Sequence, residues 1–224
     1  RREIGALRGL RDRLRGKPLG EVDAALMREA KRAGLTDAYI GRILSPSAPE
    51  LAVRAHRQQL GIRAVYSRVD TCAAEFPAFT PYLYSNYESV CEAEPSERRK
   101  VMVLGSGPNR IGQGIEFDYC TVHAVMALRE EGIEAHIINN NPETVSTDAG
   151  TSDRLFFEPM HLEDITNILK KDDYYGVMVQ FGGQNSVNLA MPLEAEIRRL
   201  GLSTEILGTP PDAMDAAEDR GRFS

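Results

Sequence analysis

One stretch constrains this chain more than any other. Lys100-Val101-Met102-Val103-Leu104 is an apolar run of strand length. It ends in Gly105-Ser106-Gly107-Pro108-Asn109-Arg110-Ile111-Gly112-Gln113-Gly114, and Ile115-Glu116-Phe117-Asp118 follows. Val122, Val125, Met126 and Leu128 then recur at the spacing of one helical face. The pattern predicts a strand, a glycine loop and a helix. Glycine tolerates positive φ and lets backbone approach a ligand closely. The N–H groups at the start of the helix favour an anion. The nearest general motif is the dinucleotide fingerprint GxGxxG. Gly105 and Gly107 fit its first two positions, but Arg110 stands at the third. Pro108 also removes a donor where a pyrophosphate needs one.

Around this stretch, residues 100–208 alternate between strand and helix. The strands are expected at 101–104, 135–139, 155–157, 177–180 and 205–207, and the helices at about 116–131, 161–171 and 186–199. Apolar strands with short helical crossovers predict an α/β fold: a Rossmann-like parallel sheet covered on both faces. Residues 210–224 begin one more helix. Residues 1–64 read instead as short helices of a small all-α domain. Ile4, Leu7, Leu10 and Leu14 form one face and Val22, Leu26, Met27, Ala30 and Ala33 the next, with Gly34 as a stop. Thr36 is placed to cap a third helix. Ser47-Ala48-Pro49-Glu50 reads as a capping box for a fourth. Between the two parts, residues 65–99 read as an extended connector. Phe76, Phe79, Tyr82, Tyr84 and Tyr87 are too many rings for a disordered linker and predict a segment pinned on a domain surface. The expected domains are therefore 1–64, 65–99 and 100–224.

Composition excludes several classes. The chain has 224 residues, 42% apolar and 27% charged, in the range of an ordinary globular protein. It has no apolar run of membrane-spanning length and no secretory h-region, so a cytoplasmic protein is expected. It begins without Met, so residues are expected to precede it. Cys72, Cys91 and Cys120 are widely spaced, without the pairing of a disulfide framework or a zinc site. His56, His123, His136 and His161 have no metal-ligand spacing, and no Ser-His-Asp pattern, HExxH or P-loop is present. The net charge of −6 hides an asymmetry: residues 1–64 carry 14 Lys/Arg against 7 Asp/Glu, and the remainder is strongly acidic. The basic residues are interleaved with a helical apolar pattern and lack an aromatic row, which disfavours nucleic acid as the partner.

In an open parallel sheet, ligands bind outside the carboxyl ends of the strands. Three polar loops leave such ends: 105–116, 139–153 and 181–186. They carry Gly105, Gly107, Arg110 and Gln113; then Asn141 and Thr144; then Gly182, Gly183 and Gln184. Each loop alone is equally readable as turn chemistry. Glu116 and Glu143 would bring two carboxylates to one cavity. They are equally a helix-start carboxylate and an acceptor for loop N–H groups. Arg110 could pair with an anion or with Glu116.

The whole string is more specific than its glycines. GSGPNRIGQGIEFDYC, together with NNNPETVSTD (139–148), TSDRLFFEP (151–159), QFGGQ (180–184) and AEDRGRF (217–223), resembles the large (synthetase) subunit of carbamoyl phosphate synthetase. The connector RVDTCAAEFPAFTPYLYSNYE is similar as well. The likeness implies the later part of that subunit's helical oligomerisation domain, followed by the pre-ATP-grasp subdomain of its second half. It implies a parent that makes carbamoyl phosphate from bicarbonate, glutamine-derived ammonia and two ATP. Such a parent would use Mg or Mn and K, with a glutaminase small subunit and ATP-grasp domains of the same chain as partners. It implies assembly through the helical domain. It also implies that Gly114, Glu116 and Glu143 line a carbamate passage into the second phosphorylation site. No catalytic residue and no metal ligand is expected on these 224 residues, which should be inactive alone. Two positions depart from the family pattern: Ala149-Gly150 replaces Tyr-Asp, and Asn185-Ser186 replaces Thr-Pro. Two other readings stay open, a Rossmann dinucleotide-binding domain and an interaction module working through the basic helices.

Overall fold

Two fully buried five-residue strands lie in the middle of a seven-stranded sheet. The structure, a computed structural model, describes residues 2–107 and 114–223. The strands are β1 (Val65–Arg68), β2 (Tyr82–Asn86), β3 (Lys100–Leu104), β4 (Glu134–Ile138), β5 (Arg154–Phe156), β6 (Gly176–Met178) and β7 (Glu205–Leu207), in the order β1-β2-β5-β4-β3-β6-β7. Every pairing from β2 to β7 is parallel. β3 lies between β4 and β6, with Val101 opposite Ala135 on one side and Met102 opposite Val177 on the other. All five residues of β3 and all five of β4 are buried, as parallel strands covered on both faces must be.

From β5 through β4, β3 and β6 to β7 the order is doubly wound. The chain leaves β3 towards one side of the sheet and later returns to build the other. The crossovers are α5 (Ile115–Glu130), α6 (Leu162–Leu169), and α7 (Gly183–Val187) with α8 (Ala190–Leu200). α9 (Pro211–Glu218) and α10 (Arg220–Phe223) follow β7. α5 packs Val125 and Leu128 onto Val101, Val103, Ala135 and Ile137. The single helix expected over 186–199 is broken in two, and Gly201 in the left-handed region (φ 64) ends the second part.

The segment read as a connector carries two strands, β1 and β2, that extend the sheet beyond β5. Its rings are not all pins. Tyr82 packs against Phe157 at 5.3 Å, whereas Phe76 and Phe79 are exposed, which corrects the expectation for those two.

The chain divides into two compact units, Arg1–Val65 with Asn86–Cys91, and Tyr66–Ser85 with Glu92–Ser224. The first unit is helical: α1 (Arg2–Leu14), α2 (Ala24–Arg32), α3 (Asp37–Ile43) and α4 (Glu50–Gln59). Leu14, Val22, Met27, Ala30, Ile40, Val53 and Ile62 form one core there. Thr36 caps α3 as expected, with its Oγ1 accepting from Tyr39 N at 3.1 Å. The capping box at Ser47 does not form. α4 starts after Pro49, with no side-chain cap. The residue before a proline is disfavoured in helical geometry, so Ala48 stays outside the helix and donates its N–H to Gly41 O at 3.0 Å. The sequence reading did not anticipate a buried ion cluster. Asp37, fully buried, takes Lys31 Nζ at 3.0 Å and Arg57 Nε at 2.7 Å.

Candidate functional site at the carboxyl edge of the sheet

The loops leaving β3, β4 and β6 are locked together by side chains. Gly105 N donates to Ile138 O at 2.8 Å, carrying the β3–β4 ladder one step past the strands. Asn139, buried at the end of β4, accepts from Gly107 N and from Asn141 N, each at 3.1 Å, through its Oδ1. From the other side, Ser186 Oγ donates to Gly105 O at 2.7 Å and Asn185 Nδ2 to Ser106 O at 2.9 Å. The backbone of residues 105–107 is thus held from both neighbouring strand ends.

These contacts explain the glycines. A Cβ on Gly105 would lie 2.8 Å from Asn139 Cγ, and one on Gly182 would strike Ser186 and the Gly105 carbonyl. Gly183 has φ 63, and its missing Cβ would sit 2.9 Å from the Phe117 ring; Gly107 has φ 66 and faces Met160. At both positions the backbone lies where side chains are strained.

A second lock joins α5 to the loop after β4. Asp118 is buried in the first turn of α5, and its carboxylate accepts from Val145 N at 2.8 Å and Ser146 N at 3.1 Å. A carboxylate there also meets the positive end of the helix dipole. The loop it holds carries Thr144, whose hydroxyl lies 3.3 Å from that of Ser146.

Gly114 is half-buried at the N-cap of α5 with φ −103, and Glu116, exposed, is one residue inside the helix. Glu143 is exposed on the loop after β4, its N–H donated to Asn141 Oδ1 at 3.0 Å. Both carboxylates therefore belong to the carboxyl edge. Gly105, Gly107, Asn141, Gly182 and Gly183 take part in the interlocked loops. Gln184 turns away: its Nε2 donates to Asn188 Oδ1 at 2.8 Å and to the Glu218 carboxylate at 2.9 Å. Arg110 and Gln113 lie outside the described residues. The residues that do most of the holding are Asn139, Asp118, Asn185 and Ser186. One signal for them was present in the sequence, an acidic residue, Asp118, in the first turn of α5.

Elsewhere at the carboxyl edge, Glu158 follows β5 and is buried. It accepts from Ser85 N and from Ser85 Oγ, and burial pushes its carboxyl up to about 7. The four histidines do not converge. His136 is buried in β4 between Glu134 (2.7 Å) and Tyr174 (2.6 Å), and His56 bonds to Val22 O. Among the described residues, no group of three His, Cys, Asp or Glu could hold a metal ion, and no helix is long and apolar enough to cross a membrane.

The sequence model of the carbamoyl phosphate synthase preATP-grasp domain matches residues 97–216. The chain belongs to that family. The matched span runs from just before β3 into α9, and so contains all three interlocked loops. Among curated relatives, the carbamoyl phosphate synthase large chain of Methanoculleus marisnigri is 69% identical over 199 residues, 88% of this chain and 18% of the relative. The large chain of Methanospirillum hungatei is 64% identical over 203 residues, 90% and 19% respectively. That of Methanosphaerula palustris is 72% identical over 160 residues, 71% and 15%. The chain spans under a fifth of the length of these relatives.

Proposed function

We propose that these 224 residues are a stretch of a carbamoyl phosphate synthase large chain, and that their part in it is architectural. The supporting observation is the 69% identity to such a large chain across 88% of the residues. The parent is a ligase. It phosphorylates bicarbonate, lets glutamine-derived ammonia displace phosphate to give carbamate, and phosphorylates carbamate with a second ATP. ATP, Mg or Mn, and K serve ATP-grasp domains elsewhere in the parent. The described residues carry no P-loop and no metal-holding cluster, so no step through nucleotide or metal is assigned to them. The glutaminase subunit supplies ammonia in the cytoplasm, and the helical unit contributes to assembly. The stretch alone is inactive.

Within the parent, the carboxyl edge of the sheet forms part of the wall through which carbamate passes to the second phosphorylation site, with Gly114, Glu116 and Glu143 on that wall. Gly114, at the N-cap of α5 with φ −103, would admit a side chain on backbone grounds, so a substitution there probes the space in front of it without straining the backbone.

Gly114→Phe in the full-length parent tests this. A phenyl ring fills the passage, while overpacking costs only about 1–3 kcal/mol and leaves the fold in place. Bicarbonate-dependent ATP hydrolysis should persist and carbamoyl phosphate synthesis should fall. ATP formation from carbamoyl phosphate and ADP, which uses the second site alone, should be spared. Loss of that partial reaction in parallel with overall synthesis would place Gly114 in the second site itself and end the passage reading.

A further inference from the structure

At the amino edge of the sheet, the segments that enter β3, β6 and β7 enclose a cleft of about 440 Å³ within the second unit. Cavities of this size take small molecules. Asp172, between α6 and β6, is the acid set deepest in the lining: its side chain is 9% exposed, whereas Glu97 and Asp173 are exposed residues. The two oxygens of Asp172 are used unequally. Oδ1 accepts from Lys100 Nζ and from Asp173 N, each at 2.9 Å. Oδ2 is buried and has no hydrogen-bond partner among the described residues. Lys100 has no donor left for it. An ammonium carries three, and Lys100 Nζ gives them to Ser96 O, Asp172 Oδ1 and Asp173 O. Buried polar atoms are nearly always paired, so an unpaired carboxylate oxygen beside a cleft calls for a donor from outside the fold.

We propose that this cleft binds a small organic ammonium, a primary amine on a short carbon chain, whose N–H groups donate to Asp172 Oδ2. The lining supplies the rest of the recognition. Pro95, Leu169 and Leu202 offer carbon to the chain. α6 ends at the cleft, and the carbonyl end of a helix favours a cation. Lys170 and Lys171, both exposed, line the cleft as well, so the deep acceptor selects the ligand and net charge does not. An alcohol of the same size would gain neither the charge-assisted bond nor the helix dipole. Oδ2 is covered in the empty cleft, so the amine is admitted by a turn of the Asp172 carboxyl, whose terminal torsion is broad. The site lies at the opposite edge from the interlocked loops and does not depend on the passage reading.

Ethylammonium is the probe. Saturation-transfer NMR of the full-length parent with about 5 mM ethylammonium chloride should show transfer to the ethyl protons. Ethanol at the same concentration should show at least about threefold less. Asp172→Asn keeps an oxygen for Lys100 and Asp173 N and puts an amide donor in the place of Oδ2, so transfer should fall by at least about threefold. Ser203→Trp, at an exposed position of the lining, fills the cleft while leaving both Lys100 and Asp172 in place, and should abolish transfer. It carries the test if Asp172→Asn does not fold. Absence of transfer in the unaltered parent overturns the proposal. Transfer retained in full by either folded variant also overturns it, because the amine then lies outside this cleft or is not held by Asp172. The measurement needs no turnover, so its outcome is independent of the Gly114→Phe test.

Discussion

Burial pushes the carboxyls of Glu158 and Glu134 up alike, and their partners decide where each ends. Glu158 sits among groups that offer one serine's N–H and hydroxyl and no cation, so desolvation wins and its carboxyl rises to about 7. Glu134 has His136, Ser96 and Arg154 around it, and the hydrogen bond from His136 leads in bringing it down to about 2. Burial pushes His136 down, which suits a neutral ring donating Nε2–H to Glu134 and accepting from the Tyr174 hydroxyl. The consequences for stability differ in sign. The folded state holds a proton on Glu158 that the unfolded chain has released, so this contribution is fully present below about pH 4.5 and is lost as pH rises through 7. The contribution of Glu134 is present above about pH 4.5 and is lost as pH falls through 2. Glu158→Gln should therefore flatten the fall in stability between pH 5 and pH 8, by on the order of 3 kcal/mol at most. Parallel urea-unfolding curves for the two proteins across that range would show that Glu158 does not titrate as described. Most of this was not legible in the sequence, because Ser85 is 73 residues from Glu158 and Tyr174 is 38 from His136; only the Glu134–His136 pair is local, two residues apart on one strand.

At the level of elements, the sequence showed β3 to β7 and missed β1 and β2, the two strands that extend the sheet beyond β5. β3 to β7 announce themselves as apolar runs, and their ends fall within one or two residues of expectation. β1 and β2 each bury a single residue and lie among prolines and exposed rings, so their pattern reads as a connector. The interlocked loops were legible as loops but not as a lock, since Asn139 and Ser186 act on backbone 32 and 81 residues away. Asn139→Ala would leave two backbone N–H groups, those of Gly107 and Asn141, without their acceptor. A cost of about 1–3 kcal/mol is expected for stranding such donors. Gly105→Ala would press its methyl onto the Asn139 amide and cost a similar, roughly 1–3 kcal/mol, overpacking penalty. The double variant removes two of the three atoms that the new methyl would strike, Asn139 Cγ and Nδ2, and keeps Cβ. Its loss should be smaller than the sum of the single losses by about 0.5 kcal/mol or more. Strict additivity in denaturant titrations would mean that Gly105 and Asn139 do not meet.

Taken as a whole molecule, the chain pairs a helical unit with a doubly wound sheet, and the sheet alone would suit a dinucleotide enzyme as well as a carbamoyl phosphate synthase domain. Alternation of strand and helix predicted the fold class. It could not give the strand order, which depends on pairings between distant segments. The order places the ends of β3 and β6 at the switch point where such folds bind ligands. Two details there turn the molecule away from dinucleotides. The residue closing β4 is Asn139, neutral, where a ribose would require a carboxylate. The Gly107 N–H, placed where a pyrophosphate would need a donor, is already given to Asn139 Oδ1 at 3.1 Å. A dinucleotide would have to break that bond and would gain no ribose acceptor in return. Titration of the 224-residue chain with NADH should accordingly give no fluorescence enhancement, and calorimetry with ATP no site tighter than about millimolar. A saturable NADH signal that Asn139→Asp strengthens would return the crevice to the dinucleotide class. Silence with both nucleotides would be the outcome expected of an edge whose loop N–H groups are already committed to Asn139 and Asp118.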